Sequence, residues 1–440
     1  MQPRHQNPAA PNILPRILVV GGGAGGLELV TQLGRKLGRH DKAVINLIDS
    51  KLTHLWKPLL HEVAAGTLNP HENEINYFNH AAKNHYHFYL GEVIALDRKN
   101  KCLTLATYKN AKQQVIIPER EVAYDILIFA VGSETNDFAT PGVNQYCALL
   151  ENQQQAIQFH QRLLEKLFTV QHQGGEINIA IIGAGATGVE LAAELQFTLS
   201  HIRYLNFKRI ERDKIKLFLI EAGPRILGML PENIAITTTA ELQKIGIKIL
   251  TGERVQRVTE EGVYTEMGDF IAASIKVWTA GIKAPEFLTK LDGLTTNKIN
   301  QLIVKQTLQS VDDENIFALG DCAAIPQKNG EALVPALAQA AHQEAKLLTR
   351  SLQNYLQQRA LLNFYFRYRG SLISLNKYST IGYLMGRLPG RLMLEGRLAR
   401  LLYLSLYKIH QITLLGFWRT FITTIANLLT RRIKPRLKLH

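Results

Sequence analysis

The 440-residue chain is long enough to form two or three domains with their own hydrophobic cores. Its cysteines, Cys102, Cys147 and Cys322, are too scattered for a disulfide framework, a metal site or a C-x-x-C pair. They argue against a flavoenzyme that relays electrons through a dithiol, and we expect ordinary thiols in a reducing cytoplasm. The net charge is +14, and residues 381–440 carry +10 of it, with eleven Lys and Arg residues against the single acid Glu395. This end of the chain favours an anionic partner, either nucleic acid or a lipid surface.

The first predicted unit follows a polar, proline-rich stretch, residues 1–12, that predicts a loose tail and no secretion signal. An apolar strand at 17–20 leads into the loop 21–26, which reads G-x-G-x-x-G, and then into a stretch with helical periodicity. Such glycines allow a tight turn and bring the backbone close to a pyrophosphate at the start of a helix. A second strand, 44–49, ends in Asp49, at the spacing typical of a carboxylate that binds a ribose hydroxyl.

The rest of this unit is predicted to be mainly strand. Residues 88–97 and 101–107 alternate as in a hairpin, and the apolar run 124–130 predicts a buried strand that leads into Gly132. The Pro141-Gly142 turn leads out of the unit.

A second unit, which begins near Cys147, repeats the pattern. A helix is predicted over 151–170, a strand over 179–182 and a second G-x-G-x-x-G loop over 183–188. The following acid-tipped strand ends in Glu221, and the long gap before it predicts a helical extension within the basic stretch 201–216.

Two further predicted strands end in small or acidic residues. One covers 277–281, with an exit at Pro285, and the other covers 316–321 and is followed by a helix over 335–352. Strands alternating with helices indicate doubly wound parallel sheets. The two glycine-rich loops predict two bound dinucleotides. The simplest use of two dinucleotides in one chain is electron transfer between them.

Residues 361–440 are basic, aromatic and apolar and contain no dinucleotide loop. Apolar residues recur at helical spacing from Leu414 to Leu429, but Arg419 interrupts them, so the segment does not predict a spanning helix. An amphipathic helix followed by five cations, Arg431, Arg432, Lys434, Arg436 and Lys438, suits a lipid interface. The alternative is a helix docked on the enzyme's own core with a solvated basic tail. Nucleic acid is not expected as a partner, since no recognised nucleic-acid motif appears.

From residue 16 to the C-terminus, the chain resembles the type II NADH:quinone oxidoreductases, the single-subunit alternative NADH dehydrogenases of bacterial respiration. The matching segments are VVGGGAGGLE (19–28), HLWKPLLHEVAAGTL (54–68), AVGSETNDFATPGV (130–143), IGAGATGVELAAEL (182–195), VWTAGIKAP (277–285), ALGDCA (318–323), AQAAHQ (338–343) and KPRLKLH (434–440). The glycine loops are shared by many flavoenzymes. The AQAAHQ segment, the missing dithiol and the basic amphipathic end are more specific.

The resemblance implies an α/β fold with two Rossmann-like domains, similar to glutathione reductase, plus a C-terminal membrane-associating region. FAD, held non-covalently, is expected in a discontinuous domain of residues 13–146 and 286–358, and NADH in residues 147–285. Residues 359–440 would anchor the enzyme as a peripheral protein on the cytoplasmic face of the bacterial inner membrane. A homodimer is also compatible with the resemblance.

The resemblance also implies which residues bind the two dinucleotides. These are Gly21, Gly23, Ala24, Gly26, Asp49, Lys57, Pro58, Val93, Ala130, Gly132, Gly183, Gly185, Gly188, Glu221, Gly281, Gly320 and Asp321. Lys57 and Pro58 would lie near the flavin, and Asp321 would bind its ribityl–phosphate region or cap a helix. Glu221 would bind the adenine ribose and favour NADH over NADPH, although the nearby Arg225 leaves that preference open.

Three residues are implied to be catalytic: Glu190, Gln339 and His342. Glu190 would lie near the nicotinamide and flavin; its alternative is a surface acid in the first turn of a helix. Gln339 and His342, with Gln343 as a weaker candidate, match the quinone-side motif, and residues at i and i+3 share a helix face. Lys408 is a further quinone candidate, or else an interfacial lysine.

The implied reaction passes a hydride from NADH to N5 of FAD and then two electrons, with protons, to a membrane quinone. No proton pumping is expected. One alternative is a soluble NADH-dependent reductase of a small redox protein, which would lack the basic amphipathic end. Another is a non-enzymatic, FAD-holding signalling protein.

Overall fold

The fold is described from a computed structural model that covers residues 14–202, 207–328, 332–375, 379–385 and 391–430. The chain divides into two compact units. The first contains the described residues of Met1–His54, Ile75–Gly132 and Ala284–Phe366. The second contains those of Leu55–Glu74, Ser133–Lys283 and Arg367–His440.

The first unit is built on a five-stranded parallel sheet of order β23-β11-β1-β2-β5. Its strands are β1 (Arg16–Val20), β2 (Val44–Asp49), β5 (His87–Leu90), β11 (Ile126–Phe129) and β23 (Ile316–Ala318). The β-branched and leucine side chains of β1, β2 and β11 are almost all buried, as expected for a parallel sheet covered on both faces. Three helices belong to this unit: α1 (Ala24–Lys36), α3 (Tyr77–Asn84) and α8 (Ala338–Tyr355).

Smaller antiparallel elements complete the first unit. The predicted hairpin is present only in part: residues 88–90 lie in β5 of the parallel sheet, and β6 (Val93–Asp97) alone pairs with β7 (Cys102–Leu105). Strand β10 (Arg120–Ala123) joins β6 and β7 in one sheet. The remaining strands form three pairs: β3 (Thr53–His54) with β4 (Ile75–Asn76), β8 (Tyr108–Lys109) with β9 (Val115–Ile117), and β22 (Leu302–Ile303) with β24 (Ala323–Ala324).

The second unit has its own five-stranded parallel sheet, of order β13-β20-β14-β15-β16. Its strands are β13 (Ala148–Leu149), β14 (Ile177–Ile182), β15 (Ile215–Glu221), β16 (Lys248–Thr251) and β20 (Ile275–Trp278). Its helices include α2 (Leu60–Ala64), α4 (Val143–Tyr146), α5 (Gln153–Gln173), α6 (Ala186–His201) and α7 (Glu232–Lys244). An antiparallel sheet is formed by β17 (Val255–Val258), β18 (Gly262–Thr265) and β19 (Phe270–Ala272). Strand β12 (Glu134–Thr135) pairs with β21 (Ile282–Lys283).

The predicted helical extension between α6 and β15 is wrong for the described part of that stretch. Helix α6 ends at His201, and residues 207–216 contain only a 3-10 turn, Arg212–Lys214, before β15 begins. Phe207 and Ile210 are nevertheless buried in the core of the unit, so this part of the chain packs without forming a regular helix.

The C-terminal region belongs to the second unit and contains a sheet that the sequence did not predict. Strands β25 (Gly370–Leu375), β26 (Ser379–Met385) and β27 (Arg391–Glu395) are antiparallel, and Ile373, Leu375 and Ile381 join the core beside α5 and α6. Two helices follow, α9 (Gly396–Leu415) and α10 (Phe417–Thr430). Gly416, at a φ of 85°, separates them. No helix within the described residues is long and apolar enough to cross a membrane.

Candidate functional site

The first glycine-rich loop joins β1 to α1. Gly21 has a φ of 99°, and a Cβ there would lie 2.5 Å from the carbonyl oxygen of Ala130, so only glycine fits without strain. Gly23 is the N-cap of α1, and a Cβ there would meet only one atom, at 3.9 Å. Gly26 lies against the carbonyl of Gly21. The start of α1 therefore presents backbone amides beside open space, which is the arrangement that a pyrophosphate requires.

Asp49, at the end of β2, is hydrogen-bonded to this loop. Its Oδ2 accepts from the amide of Gly22 at 2.7 Å and its Oδ1 from the amide of Lys51 at 2.8 Å. Burial raises the pKa of Asp49, and these two amides oppose that rise. Tyr77, which the sequence did not single out, donates its hydroxyl to the carbonyl oxygen of Gly22 at 2.7 Å. Together these contacts fix the loop before any ligand binds.

The second loop repeats this arrangement in the second unit. Gly183 also has a φ of 99°, and a Cβ there would lie 2.6 Å from the amide nitrogen of Ala280. Gly185 is the N-cap of α6, with nothing within 4 Å of its Cβ position, and Gly188 lies against the carbonyl of Gly183. Both loops begin with the same backbone hydrogen bond, in which Gly21 donates to Ile48 and Gly183 to Ile220, each at 2.8 Å. The two predicted dinucleotide sites thus have matching backbone geometry in separate units.

Glu221 has the role in the second unit that Asp49 has in the first. Its Oε2 accepts from the amide of Ala184 and its Oε1 from the amide of Gly223, both at 2.8 Å. Arg225 donates to three backbone carbonyls of its own turn, those of Leu227, Gly228 and Leu230, at 2.9–3.2 Å. Its guanidinium is therefore already used by the turn, whereas the Glu221 carboxylate lies beside the loop.

The remaining candidate residues for the first dinucleotide lie around the carboxyl ends of the parallel strands and on neighbouring segments. Val93 begins β6 and is buried, Ala130 follows β11, and Gly132 has a φ of 72° with open space at its Cβ position. Gly320 donates its amide to Glu344 of α8 at 2.6 Å, next to Asp321. Burial raises the pKa of Glu344 to about 7. Sequence reasoning missed Glu344, because only the packing of α8 brings it to this turn.

Three further cofactor-binding candidates, besides Glu221, lie in the second unit outside its glycine-rich loop. Gly281, at a φ of 68°, packs against the ring of Phe138. Lys57 donates its Nζ to the carbonyl oxygen of Ser133 at 2.8 Å, and Pro58 follows in the same 3-10 turn. Lys57 and Pro58 therefore group with the second unit, while the first glycine-rich loop belongs to the first.

Glu190 is buried, so the alternative of a surface acid is wrong. Its Oε1 accepts from the amide of Ser374 at 3.0 Å, its Oε2 lies 3.8 Å from Nδ1 of His61, and it bonds the Tyr403 hydroxyl of α9. Burial raises the pKa of Glu190 to about 8. The pKa of Glu62 is also raised to about 8, by burial and by the nearby carboxyls of Glu194 and Glu190. Both carboxyls are therefore held in their neutral form to a higher pH than an exposed glutamate.

The quinone-side candidates are divided between the units. Gln339, His342 and Gln343 lie on α8 of the first unit, and Nδ1 of His342 is 2.8 Å from Oε2 of Glu28. Lys408 lies on α9 of the second unit, where its Nζ donates to Oε1 of Gln411 at 2.8 Å and burial lowers its pKa.

The comparisons with known proteins agree with this geometry. A model of the pyridine nucleotide-disulphide oxidoreductase family matches residues 15–345. The chain is 37% identical to the type II NADH:quinone oxidoreductase of Haemophilus influenzae, over 97% of this chain and 100% of that protein. It is 27% identical to the enzyme of the same name from Staphylococcus saprophyticus, over 84% of this chain and 90% of that protein. The chain belongs to the type II NADH:quinone oxidoreductases.

The fold agrees with this assignment. The chain superposes on NDH2 from Plasmodium falciparum, solved in complex with NADH, with a TM-score of 0.81 at 20% identity, covering 96% of this chain and 100% of that one. The predicted α/β fold with two Rossmann-like units is thereby confirmed.

The wider family's name refers to a disulphide, which this type II NADH:quinone oxidoreductase does not form. Its three cysteines are free in the structure. Cys322 is buried, with its Sγ against the carbonyl oxygens of Leu319 and Phe129, and burial raises its pKa to about 12. A thiol held in this neutral form is a poor nucleophile.

An aromatic stack that sequence reasoning missed joins α9 to the segment before Lys57. The ring of Trp56 stacks on Tyr407 and His410 of α9, at centroid distances of 5.2 and 5.6 Å. The Tyr407 hydroxyl also reaches Oδ1 of Asn73 at 3.4 Å. Trp56 and Tyr407 are separated by about 350 positions, so no local pattern could have predicted their contact.

Proposed function

We propose that the protein is a non-pumping NADH:quinone oxidoreductase that uses non-covalent FAD in its first unit and NADH in its second. The duplicated loop-and-acid arrangement carries this proposal, because it provides two dinucleotide sites in one chain. FAD, when bound, supplies the acceptor for the hydride of NADH and the donor of two electrons to a quinone. The chain's own residues bind and orient the reactants and exclude water.

The residues of the first unit fit FAD. The amides at the start of α1 face open space, and a pyrophosphate there would be stabilised by the positive end of the helix dipole. Asp49 uses one lone pair of each oxygen for a backbone amide and keeps others for ribose hydroxyls. Val93, Ala130, Gly132, Gly320 and Asp321 would complete this site, and Lys57 and Pro58 would approach the flavin. Denaturation should release all the flavin, since we propose no covalent bond.

The second unit fits NADH better than NADPH. A 2′-phosphate near Glu221 would be repelled by its carboxylate, and Arg225, the nearby cation, is held by three backbone carbonyls. Gly183, Gly185, Gly188 and Gly281 would shape the remainder of the site. Glu190 would act near the nicotinamide as a protonated acid, in keeping with its raised pKa.

Gln339, His342 and Gln343 would meet the quinone from α8, with Lys408 as a further candidate on α9. Amide and imidazole groups can bond the carbonyl oxygens of a quinone. Because the quinone is dissolved in lipid, the enzyme must also reach a membrane.

The outward face of α9 and α10 supports association with a membrane. Many large apolar side chains there are exposed to solvent, which is typical of a surface that contacts lipid or another protein. The exposed set is Leu398, Leu401, Leu404, Leu406, Ile409, Ile412, Phe417, Trp418, Phe421, Ile422, Ile425 and Leu429. This exposure disfavours the alternative of a helix docked on the enzyme's own core. The cations Arg431, Arg432, Lys434, Arg436 and Lys438, which we propose to attract anionic lipid, lie outside the described residues.

We further propose that the enzyme is peripheral on the cytoplasmic face of a bacterial inner membrane, where NADH is available. A homodimer remains part of the proposal and would be tested by sedimentation.

The test of the function is NADH oxidation by the purified, flavin-loaded protein with a short-chain ubiquinone, with and without anionic vesicles. Stopped-flow absorbance separates reduction of the flavin by NADH from its reoxidation by the quinone. We expect both half-reactions to be fast enough to account for turnover. Rapid flavin reduction with no reoxidation by any quinone would instead support the soluble reductase of a small redox protein.

A further inference from the structure

Helices α1 and α8 of the first unit pack closely, and two charged side chains meet between them. A Cβ at Gly25 of α1 would lie 2.5 Å from Cδ1 of Leu319 and 3.3 Å from Cβ of Ala341 on α8. This absence of a side chain lets the helices approach. Glu28, one turn further along α1, then reaches His342 of α8, which is 314 positions away in the chain.

Both oxygens of the Glu28 carboxylate have partners. Oε2 is 2.8 Å from Nδ1 of His342, and Oε1 accepts from Nε2 of Gln32 at 2.9 Å. The Glu28 side chain is 2% exposed and that of His342 is 32% exposed. A carboxylate oxygen accepts hydrogen bonds, so the 2.8 Å contact with this buried side chain places the ring N–H of His342 at Nδ1. The pairing thereby fixes the tautomer and the ring orientation of the histidine.

We propose that Glu28 is a positioning residue for the quinone half of the reaction: it holds Nδ1 of His342 so that Nε2 is the atom that exchanges a proton with the quinone. This inference rests on the proposed function, in which His342 meets the quinone, and it adds a residue to which that proposal gives no role. The arrangement follows the logic of a catalytic histidine oriented by a buried carboxylate.

The proton balance is as follows. The quinone takes up two electrons, which come from NADH through the flavin, and two protons, and becomes the quinol. One proton passes from Nε2 of the His342 imidazolium to a quinone oxygen, and the other comes from water. His342 keeps the Nδ1 proton on Glu28 throughout and regains its Nε2 proton from water. Glu28 exchanges no proton in this sequence of steps and keeps its hydrogen bond to Nδ1.

The test uses the flavin-loaded enzyme and measures the two half-reactions separately. In Glu28→Ala, we expect quinone-dependent reoxidation to slow by roughly ten- to a hundredfold, the usual effect of removing a residue that orients a functional histidine. Flavin reduction by NADH should stay within about twofold of the wild type. Glu28→Gln, whose amide oxygen can still accept from Nδ1, should recover part of the lost rate. Gln32→Ala is the matched control: it removes the other partner of Glu28 and should leave the quinone step within about twofold.

The variant His342→Asn distinguishes the proposed positioning role from a merely structural one, in which the pair only joins α1 to α8. The asparagine amide can still donate to Glu28 but has no counterpart of Nε2. We expect this variant to keep the wild-type melting temperature and yet reoxidise as slowly as His342→Ala. Because Glu28 acts through His342, the double variant of both residues to Ala should be no slower than His342→Ala alone.

Three results would overturn the inference: an active His342→Asn, a Glu28→Gln as slow as Glu28→Ala, or additive losses in the double variant. These outcomes differ from a failure of the proposed function, in which the wild-type protein itself would not pass electrons from NADH to a quinone.

Discussion

Replacing Glu190 with Gln should change how the stability of the second unit depends on pH. Burial raises the pKa of Glu190 from its ordinary value of 4.5 to about 8. Between these values the folded protein keeps a proton that the unfolded chain has lost, so the stabilising effect is complete below pH 4.5 and is lost as the pH rises toward 8. The loss is about 1.4 kcal/mol per pH unit, or about 5 kcal/mol in all. Gln cannot ionise, so the variant should not suffer this loss.

The measurement is native-state hydrogen exchange of the α6 amides, corrected for intrinsic rates, at pH 5.5, 6.5, 7.5 and 8.5. The difference in opening free energy, Glu190→Gln minus wild type, should grow with pH and level off above pH 8. Because Glu190 itself helps to raise the pKa of Glu62, the same comparison made in a Glu62→Gln background isolates Glu190. Glu232→Gln, at an exposed acid of α7, is the matched control and should show no such trend. If the curves for Glu190→Gln and the wild type run parallel across this range, Glu190 does not hold a proton in the folded protein.

Three further predictions concern the two substrates and the membrane. Glu221→Gln should narrow the preference for NADH over NADPH, measured as the ratio of kcat/KM values; a wild type that uses both equally well would contradict this assignment. Gln339→Leu should slow flavin reoxidation by quinone and leave flavin reduction by NADH nearly intact in stopped-flow, and the reverse pattern would show that α8 does not face the quinone. Joint replacement of the exposed Trp418 and Ile422 by Ser should weaken flotation with anionic vesicles, since each side chain contributes roughly 2 kcal/mol when buried in an apolar phase; high salt alone should release the wild type only in part, because screening leaves the apolar term. Unchanged flotation of the double variant would place the tether elsewhere.

The sequence was sufficient to predict the two strand–loop–helix segments, because their signals are local. A strand, a glycine loop and a helix follow one another within about 20 residues, and the positive φ of Gly21 and Gly183 restricts those positions to glycine. The acids Asp49 and Glu221 end the next parallel strand, so the topology itself places them beside the loops.

Contacts between distant parts of the chain could not be predicted in the same way. Glu28 lies only two residues after the first loop, but its partner His342 lies on a helix near the other end of the unit. The sheet of β25–β27 was missed because its residues have a mixed apolar and basic composition that suggested membrane contact throughout the region. The sequence predicted one amphipathic helix from Leu414 to Leu429, whereas Gly416, at a φ of 85°, ends α9 within that range and α10 begins after it.

Each acid beside a glycine loop has two tasks, and this duality affects how its variants behave. Asp49 and Glu221 each use one oxygen to hold the second residue of the loop and the other to hold the amide two positions further along the chain. A Gln at position 221 has only one oxygen, so it can keep only one of those contacts, and its NH₂ group would face the other amide. Glu221→Gln should therefore raise the KM for NADH by loosening the loop, in addition to reducing the repulsion of a 2′-phosphate. The two effects separate in measurement, since the first acts on both nucleotides alike and the second changes only their ratio.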